Sequence, residues 1–304
     1  MKTKIITKVS EGLGNQLFMY ANSYSLSKKN NFDFYIDSLS GYYQKKHNYM
    51  YLLDNFNITS KIASNNFVFN TGFKNFLKKI LLIVDIFRKK KKFYFEPKKK
   101  NKITKFSPII FDNNVDHIFL DGNFESEKYF SSFRKDLFKE FNIKNPNQFY
   151  DNKYLKIINN SNVISICIRQ NRFSESIRNK NSENAINKSN HFVKQTVEYI
   201  NKSIVFFENK VQNPIYLIWS NNFSGLENFF DSNKFIFVKN NDNKILTDFY
   251  LLTKCKYFIV GPSTYHWWGA WLSKYENKIC VRPSNINLNP SNNIDYWPTN
   301  WISI

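Results

Sequence analysis

Short segments that favour β-strands alternate with segments that favour helices along most of this chain, and this alternation limits the folds that it can adopt. Lys4 to Val9 is prone to form a strand, which Gly12-Leu13-Gly14 ends. From Asn15 to Asn30 apolar residues recur at helical spacing, and Phe32 to Ile36 has the pattern of a second strand. A strand, a glycine loop, a helix and a second strand predict the start of an α/β sheet.

The alternation restarts after residues 142–162, a polar segment with Pro146 that we interpret as a linker. Val163 to Ile168 is the first strand of this second half, and further strands alternate with helices up to Arg282. The 304 residues are enough for two domains. We therefore predict an N-terminal α/β domain at 1–150 and a C-terminal α/β domain at 151–304, with a binding site in the cleft between them.

The positive charge is concentrated in one part of the chain. The formal net charge is +20, and 38 of the 44 basic residues are Lys, as an AT-rich genome would favour. Residues 74–105 lack strand character and hold thirteen basic residues against Asp85 and Glu96, a local charge of +11. We interpret 74–105 as a basic insertion in the N-terminal domain. A nucleic-acid-binding protein is the alternative, which we disfavour because the charge lies in one Lys tract and is not interleaved with aromatic residues.

The sequence shows neither a secretion signal nor a membrane span. The longest apolar run, Ile80 to Val84, has five residues, whereas a span needs about 20. Cys167, Cys255 and Cys280 are too widely spaced for a disulfide scaffold and lack the spacing of metal ligands. We therefore expect a cytoplasmic protein.

Residues 76–92, FLKKILLIVDIFRKKKK, allow two interpretations. The segment is either an ordinary core helix with a solvated Lys tail or a helix that lies on the anionic inner face of a membrane. The second interpretation would make the protein a peripheral membrane protein.

The first of three candidate ligand sites follows the first strand. Gly12 and Gly14 would let the backbone approach a ligand, and the helix that opens at Asn15 and Gln16 favours an anion at its N-terminus. The segment lacks the third glycine of the dinucleotide-binding fingerprint, so a plain tight turn is the alternative.

The second candidate site follows the strand Val163 to Ile168. Only six Arg occur in the chain, yet Arg169, Arg172 and Arg178 fall within ten residues. The planar guanidinium group binds phosphate oxygens in a bidentate manner, which Lys cannot do. We interpret this cluster as the best anion site, with surface charge as the alternative.

The third candidate site follows a later strand, at Gly261-Pro262-Ser263-Thr264. The Ser263 and Thr264 hydroxyls are expected to cap the next helix and, with its first N–H groups, to bind an anion. His266 is interpreted as a packed or capping residue and not as a base. All six Trp lie between Trp219 and Trp301. They are either surfaces that contact bases and sugars or residues of an aromatic core.

Five segments, in order along the chain, carry a resemblance to the α-1,2-fucosyltransferases of glycosyltransferase family 11. EGLGNQLFMYA (Glu11 to Ala21) resembles the family's GGLGNQ-F-YA start, and GNFESEKYF (Gly122 to Phe130) is similar to GYFQ…YF. CIRQNR (Cys167 to Arg172) stands where the family has H-x-R-R-x-D, and WSNN (Trp219 to Asn222) takes the place of FSDD. PSTYHWWGAWL (Pro262 to Leu272) resembles NSTFSWWGAWL.

The resemblance implies a GT-B-like fold of two Rossmann-type halves and an inverting transfer of L-fucose from GDP-fucose to a glycan. It implies an α-1,2 linkage, a role in surface polysaccharide synthesis, no cofactor and no required metal. It makes Arg169 the donor-phosphate arginine and places Asn15 and Gln16 near the phosphates and the transferred sugar. Ser263 and Thr264 are then expected at the phosphates, and the acceptor can be lipid-linked at the inner membrane leaflet.

This chain departs from the family motifs at several positions. The motif His is Cys167, the second Arg is Gln170, the Asp is Arg172, and both Asp of FSDD are Asn221 and Asn222. Because the lost His and Asp are expected to hold the nucleotide, another deoxysugar, another base or a loss of activity are alternatives. Asn221 stays among the predicted nucleotide-binding residues, and we hypothesise that Arg172 replaces the charge missing at Gln170.

Acceptor activation requires a carboxylate within hydrogen-bond reach of the acceptor hydroxyl. Four carboxylates are candidates for this general base: Glu11, Asp37, Glu125 and Glu175. We select Glu175, which completes a predicted catalytic set with Arg169 and Asn15.

Overall fold

The computed structural model describes residues 2–43, 49–96, 105–111, 115–176, 178–230, 233–241, 244–284 and 295–304. The chain divides into two compact units. Unit 1 is Met1–Lys144 with Asn292–Pro298, and unit 2 is Asn145–Ser291 with Thr299–Ile304. The sequence pattern places one division near residue 150, whereas in the structure a C-terminal segment returns to unit 1.

Unit 1 is built on a five-stranded sheet in the order β3-β2-β1-β5-β4, in which neighbouring strands run parallel. Its elements are β1 (Lys4–Lys8), α1 (Leu13–Asn30), β2 (Asp33–Asp37), β3 (Lys61–Ile62), α2 (Gly72–Ile86), β4 (Phe93–Phe95), β5 (His117–Asp121) and α3 (Arg134–Glu140). The central strand β1 buries Ile5 and Ile6, and α1 packs against β1 and β2. The strand order reverses between β1 and β5, so a ligand is expected beyond their carboxyl ends.

Unit 2 is built on a six-stranded parallel sheet in the order β11-β10-β9-β6-β7-β8. Its elements are α4 (Lys153–Asn160), β6 (Val163–Ile168), α5 (Glu183–Glu208), β7 (Ile215–Ser220), β8 (Phe235–Phe237), α6 (Lys244–Lys254), β9 (Tyr257–Ile259), α7 (Thr264–Leu272), β10 (Ile279–Arg282) and β11 (Ile302–Ser303). The chain moves from β6 outward to β8 and then returns to β9 on the other side of β6. The strand order therefore reverses between β6 and β9. Two parallel α/β sheets confirm the predicted fold class.

Aromatic side chains fill much of the core of unit 2. Trp267, Trp268 and Trp271 on α7 are at most 1% exposed and contact one another, because the helix is apolar on nearly all sides. Of the two roles considered for the Trp residues, these three serve as core residues and offer no surface to a base or a sugar.

Three sequence-based predictions of secondary structure are wrong. Residues 74–105 include a strand, β4, because Phe93 to Phe95 pair with β5 in the sheet; residues 97–104 lie outside the described residues. The predicted linker contains α4, which the Asn152 side chain caps by accepting from the N–H of Tyr154. The sequence pattern also predicts one helix from Ser126 to Phe141, whereas the structure has 3-10 turns and the seven-residue α3 there.

Candidate active site

The carboxyl ends of β6 and β9 are the place in unit 2 where a ligand is expected, because the strand order reverses there. Arg169 follows β6 directly, and Gly261 follows β9 after Val260. A Cβ atom on Gly261 would lie only 2.5 Å from the backbone oxygen of Cys167. The second and third candidate sites from the sequence are therefore neighbours, at a separation that only glycine permits.

Arg169 is held by a bidentate ion pair with Glu175. Its Nε donates to Glu175 Oε1 at 2.9 Å, and its Nη2 donates to Oε2 at 2.5 Å. The two side chains keep 35% and 25% of their surface exposed, so the guanidinium group is oriented but remains accessible. Both Glu175 oxygens face the arginine, which favours a positioning role for this carboxylate; its predicted role as the base stays a prediction.

Arg172 joins the loop after β6 to the loop after β9. Its Nη1 donates to the backbone oxygen of Pro262 at 2.8 Å, and its guanidinium carbon lies 5.2 Å from the centre of the Phe192 ring. The contact with Pro262 holds the side chain close to the start of α7, and the Phe192 ring on α5 supports it. The position agrees with the hypothesis that Arg172 supplies a second positive charge at the anion site.

Gln170 and Asn221 clamp the loops that follow β6 and β7. The backbone N–H of Gln170 donates to Asn221 Oδ1 at 2.8 Å, and Asn221 Nδ2 donates to the backbone oxygen of Gln170 at 3.0 Å. The Gln170 side chain donates to the backbone oxygens of Asn222 and Ser224. These neutral amides fix the loop geometry, and nucleotide contact by Asn221 stays a prediction.

Helix α7 begins at this edge of the sheet, with Thr264 as its first residue and Ser263 at the N-cap position. Within the described residues the Ser263 hydroxyl makes no capping hydrogen bond, so its predicted capping role is wrong. The backbone N–H of Ser263 donates to the oxygen of Gly261 and closes a turn before the helix. The first N–H groups of this nine-residue helix lack partners inside the helix, and with the Ser263 hydroxyl they suit an anion.

His266 is a structural residue, as the sequence interpretation favoured. It is fully buried, its Nδ1 accepts from the N–H of Gly261 at 3.2 Å, and its Nε2 lies 3.1 Å from the Ser165 hydroxyl. Because Nδ1 accepts, the proton is assigned to Nε2, which donates to Ser165. Burial lowers the pKa of His266 from 6.5 to about 3. The neutral imidazole therefore ties α7 to β6 and β9.

This burial predicts an acid sensitivity of folding that depends on His266. Between pH 6.5 and about 3 the unfolded chain binds a proton at His266 that the folded chain does not. The free energy of unfolding therefore falls as the pH falls, by about 1.4 kcal/mol per unit from this group. Asp248 has the opposite effect on the free energy of unfolding, because its pKa is raised from 3.8 to about 6 in the folded chain. Between pH 6 and 3.8 the folded chain binds a proton at Asp248 that the unfolded chain does not, which stabilises the folded state.

The test compares denaturant unfolding of the wild type and His266→Gln at several pH values, which cancels the contribution of Asp248. The free energy of unfolding of the wild type should exceed that of His266→Gln by less and less as the pH falls below 6.5. His191→Gln, on the exposed face of α5, controls for the loss of a histidine. A difference in the free energy of unfolding that does not change with pH would contradict the neutral, buried state of His266.

Asp248 is a candidate site residue that the sequence analysis missed. It is 5% exposed on α6, accepts from Asn240 Nδ2 at 2.7 Å, and burial raises its pKa to about 6. Lys244, one helical turn before Asp248 on α6, donates to the backbone oxygen of Ser220, which pairs with Ile168 at the end of β6, so this part of α6 lies beside that strand end. A single acid within the apolar run ILTDFYLL was the signal available in the sequence.

In unit 1 the loop after β1 has an unusual backbone at Glu11. Its φ of 65° is in the left-handed region, which favours glycine and costs other residues about 1–2 kcal/mol. Glycine is the residue that the family start GGLGNQ has here. The Glu11 carboxylate accepts from Asn15 Nδ2, which ties the loop to the first turn of α1. Gly12 occupies the N-cap position with an extended backbone, and Gly14 is buried in the helix.

Gln16 holds this loop in place from inside unit 1. It is fully buried; its Nε2 donates to the backbone oxygens of Glu11 (2.9 Å) and Met50 (2.7 Å), and its Oε1 accepts from the N–H of Leu52 (2.9 Å). These observed contacts are with backbone groups, so they favour a positioning role. The predicted contact of Gln16 with the phosphates or the sugar stays a prediction.

The other candidate bases also have structural partners. Asp37 Oδ1 accepts from the N–H groups of Leu39 (3.1 Å) and Ser40 (2.9 Å), which shapes the turn after β2. Glu11 is bound to Asn15, and Glu125 is half-buried. The choice of Glu175 as the general base therefore stays a prediction.

Comparison with known proteins decides the family. The model of glycosyl transferase family 11 matches residues 4–304. The chain belongs to glycosyltransferase family 11. It is 26% identical over 316 aligned residues to an α-1,2-colitosyltransferase of Escherichia coli, covering 99% of this chain and 98% of that protein. Over 89 residues, 29% of this chain and 30% of the other, it is 35% identical to the O-antigen biosynthesis glycosyltransferase WbnK of Escherichia coli.

Solved structures share the fold of this family 11 glycosyltransferase at low sequence identity. The fucosyltransferase NodZ from Bradyrhizobium is 12% identical with a TM-score of 0.51, covering 89% of this chain and 92% of that chain. Arabidopsis thaliana FUT1, solved as a mutant with GDP, is 12% identical with a TM-score of 0.53, covering 94% and 71%. The predicted GT-B-like fold class is confirmed by these neighbours.

Proposed function

We propose that this family 11 glycosyltransferase moves L-fucose from GDP-fucose to a hydroxyl group of a glycan, with inversion at the sugar carbon and an α-1,2 linkage. The acceptor is a surface polysaccharide under synthesis, carried on a lipid at the inner membrane leaflet. The reaction requires no metal ion.

The proposal rests on the anion site of unit 2. At the carboxyl ends of β6 and β9, Arg169 is oriented by Glu175, Arg172 is bound to Pro262, and α7 begins beside them. Two guanidinium groups and a helix N-terminus match the oxygens of a diphosphate. Most basic residues of the chain are Lys, yet two of its six Arg lie at this site.

These groups would act mainly on the leaving group. The acceptor oxygen attacks C1 of the sugar, and the bond from C1 to the β-phosphate oxygen breaks with its electron pair passing to GDP. The acceptor proton passes to a carboxylate base. Charge builds up on the departing phosphate, and preorganised donors stabilise that charge more in the transition state than in the ground state. This is how a transferase can work without a metal ion.

Asp248 supports a guanine base in the donor. Guanine presents N1–H and N2–H as adjacent donors, and a carboxylate can accept both. Asp248 is buried on the part of α6 that lies beside the end of β6, its Oδ1 accepts from Asn240, and a pKa of about 6 leaves it mostly ionised at neutral pH. We propose Asp248 as the residue that takes over the recognition expected of the altered motif residues Cys167, Asn221 and Asn222.

Colitose is the second candidate for the transferred sugar. The relative that covers 99% of this chain is named as an α-1,2-colitosyltransferase, and colitose is L-fucose without its 3-hydroxyl group. An enzyme that hydrogen-bonds the 3-hydroxyl group of L-fucose rejects colitose strongly, whereas an enzyme built for colitose rejects L-fucose far less strongly. Comparing the two donors therefore identifies the sugar.

The test measures calorimetric binding of GDP, GDP-fucose, GDP-colitose, UDP, dTDP and CMP, followed by transfer assays with and without EDTA. We expect micromolar binding of GDP and GDP-fucose, transfer that EDTA does not abolish, and an inverted α-1,2 product by NMR. Preference for GDP-colitose would assign the second sugar. Preference for another nucleotide, or no binding to any of them, would contradict the proposal.

Glu175→Gln separates the two roles considered for this carboxylate. If Glu175 orients Arg169, as the ion pair indicates, the variant should bind GDP about 5–10-fold more weakly, because the bidentate charge-assisted contact is lost. Calorimetry and single-turnover transfer give both readouts, with the exposed Glu276→Gln as the matched control. Unchanged GDP binding with slow transfer would restore Glu175 as the base, and no change in either would remove it from the site.

A further inference from the structure

Helix α2 presents its apolar face to solvent and its polar face to the protein. Within α2, all of whose residues are described, only Asp85 is buried, and its oxygens accept from the N–H groups of Lys92 (2.9 Å) and Phe93 (3.1 Å). On the same side, Lys78 lies 3.4 Å from Asp121, and Lys74 donates to the backbone oxygen of Asn65. This is the reverse of a core helix, so the core-helix interpretation of residues 76–92 is wrong.

The exposed face is broad and strongly apolar. Its side chains recur at the spacing of one helical face and extend to the residue that ends the helix. They are Phe73, Phe76, Leu77, Ile80, Leu81, Ile83, Val84, Ile86 and Phe87, with exposed fractions from 37% for Leu81 to 84% for Phe87. Soluble proteins rarely leave such a continuous patch in water, so the face is expected to have a partner.

Basic residues border this apolar face. Lys79 lies beside it along the helix, and Lys89 and Lys90 follow its C-terminal end; all three are exposed. Arg88 is half-buried next to them. An apolar stripe with lysines at its edges matches the boundary between the acyl chains and the anionic headgroups of a bilayer.

We propose that α2 lies in the plane of an anionic phospholipid surface, with its apolar face among the acyl chains and Lys79, Lys89 and Lys90 at the headgroups. No helix among the described residues is long and apolar enough to cross a membrane, and α2 has 15 residues. The binding is thus peripheral, and it does not depend on which sugar the enzyme transfers.

Charge favours a lipid surface over a second copy of this chain. Two copies that met through α2 would bring two strongly basic tracts together, and residues 74–105 alone carry a charge of +11. Like charges in contact oppose association, whereas an anionic leaflet gains about 1 kcal/mol for each basic residue near its surface. Of these two partners, only the lipid surface satisfies both the apolar face and its basic border.

The experiment is flotation of the full-length protein with phosphatidylcholine vesicles and with vesicles that also contain phosphatidylglycerol, at low and high salt. We expect binding to the anionic vesicles that salt weakens. Phe76→Ser/Ile80→Ser/Phe87→Ser should lower the partition coefficient at least about 10-fold. Lys79→Gln/Lys89→Gln/Lys90→Gln should lower it about 100-fold on the anionic vesicles.

Two variants with matched composition serve as controls. Ile110→Ser/Val205→Ser/Phe229→Ser removes three exposed apolar side chains elsewhere, and Lys180→Gln/Lys194→Gln/Lys202→Gln removes three exposed lysines. Both should bind vesicles as the wild type does, and all variants should keep the wild-type melting temperature, because the substituted side chains are exposed.

Three results would overturn the proposal. They are equal binding to neutral and anionic vesicles, equal binding by the α2 variants and the controls, and a dimer in analytical ultracentrifugation that the apolar α2 variant dissolves. A dimer that the apolar α2 variant dissociates would assign the face to a second copy of the chain.

Discussion

Replacing Arg169 by alanine should lower kcat/KM for sugar transfer by about 100–1000-fold, because one preorganised donor at a developing charge is worth about 3–4 kcal/mol. Arg169 follows the buried strand β6 at the reversal of strand order, and Glu175 fixes the plane of its guanidinium group. The plane of the guanidinium group is thus fixed before the donor arrives. Steady-state transfer kinetics with GDP-fucose measure the effect.

The conservative variant and a control separate charge from geometry. Arg169→Lys keeps the charge but loses the planar fork, so it should recover less than a tenth or so of the wild-type rate. Lys180→Ala removes an exposed basic residue from the same segment and should act as the wild type does. Near-normal transfer by Arg169→Ala would show that the diphosphate binds elsewhere.

Arg172→Ala tests whether the chain has moved its second motif arginine. If Arg172 replaces the charge missing at Gln170, the variant should lose about as much activity as Arg169→Ala. The variant also loses the hydrogen bond to Pro262, so the loop that precedes α7 should be less firmly fixed. Wild-type rates for Arg172→Ala would reject the hypothesis.

Gly261→Ala should destabilise unit 2 by about 2–3 kcal/mol, the cost of forcing an atom into a fully packed position. The new Cβ atom would lie 2.5 Å from the backbone oxygen of Cys167, and neither atom belongs to a side chain that can rotate away. Relief requires β6 and β9 to separate, and these strands pair in the centre of the sheet. Denaturant unfolding, with hydrogen exchange at the amides of β6 and β9, measures the loss.

Gly72→Ala is the matched control for this substitution. The nearest atom to its Cβ would be the Tyr43 hydroxyl oxygen at 3.4 Å, and the residue begins α2, where alanine is favoured over glycine. The control should be neutral or slightly stabilising. Equal stability of Gly261→Ala and the wild type would mean that the two strand ends are farther apart than described.

The sequence predicted the parts of the site that depend on local pattern. Strand–loop–helix alternation identified both α/β sheets, and parallel strands place their carboxyl ends along one edge. That rule was enough to predict Arg169, Ser263 and Thr264 as site residues from their positions after strands. The scarcity of Arg added the chemistry, because guanidinium is the side chain suited to phosphate.

Contacts between distant segments could not be predicted in this way. The pairing of Gln170 with Asn221 joins residues 51 positions apart, and the buried amide of Gln16 holds a loop 34–36 positions away. In the sequence Asp248 is only an acid within an apolar helix, and the fold places that part of α6 beside the end of β6. Strand β4 was missed because its three aromatic residues, which favour a strand, form too short a run between lysine-rich segments to be recognised before the pairing with β5 is known.

The sequence by itself determined the family, the two parallel sheets and the segments that form the candidate site, because these depend on motifs and on hydrophobic periodicity. The tertiary structure alone decided what each side chain does there. It engaged Glu175 with Arg169, buried His266 as a neutral link and turned the apolar face of α2 outward. Periodicity shows that a helix has an apolar face but not which side packs against the protein, because that depends on the partners the fold supplies.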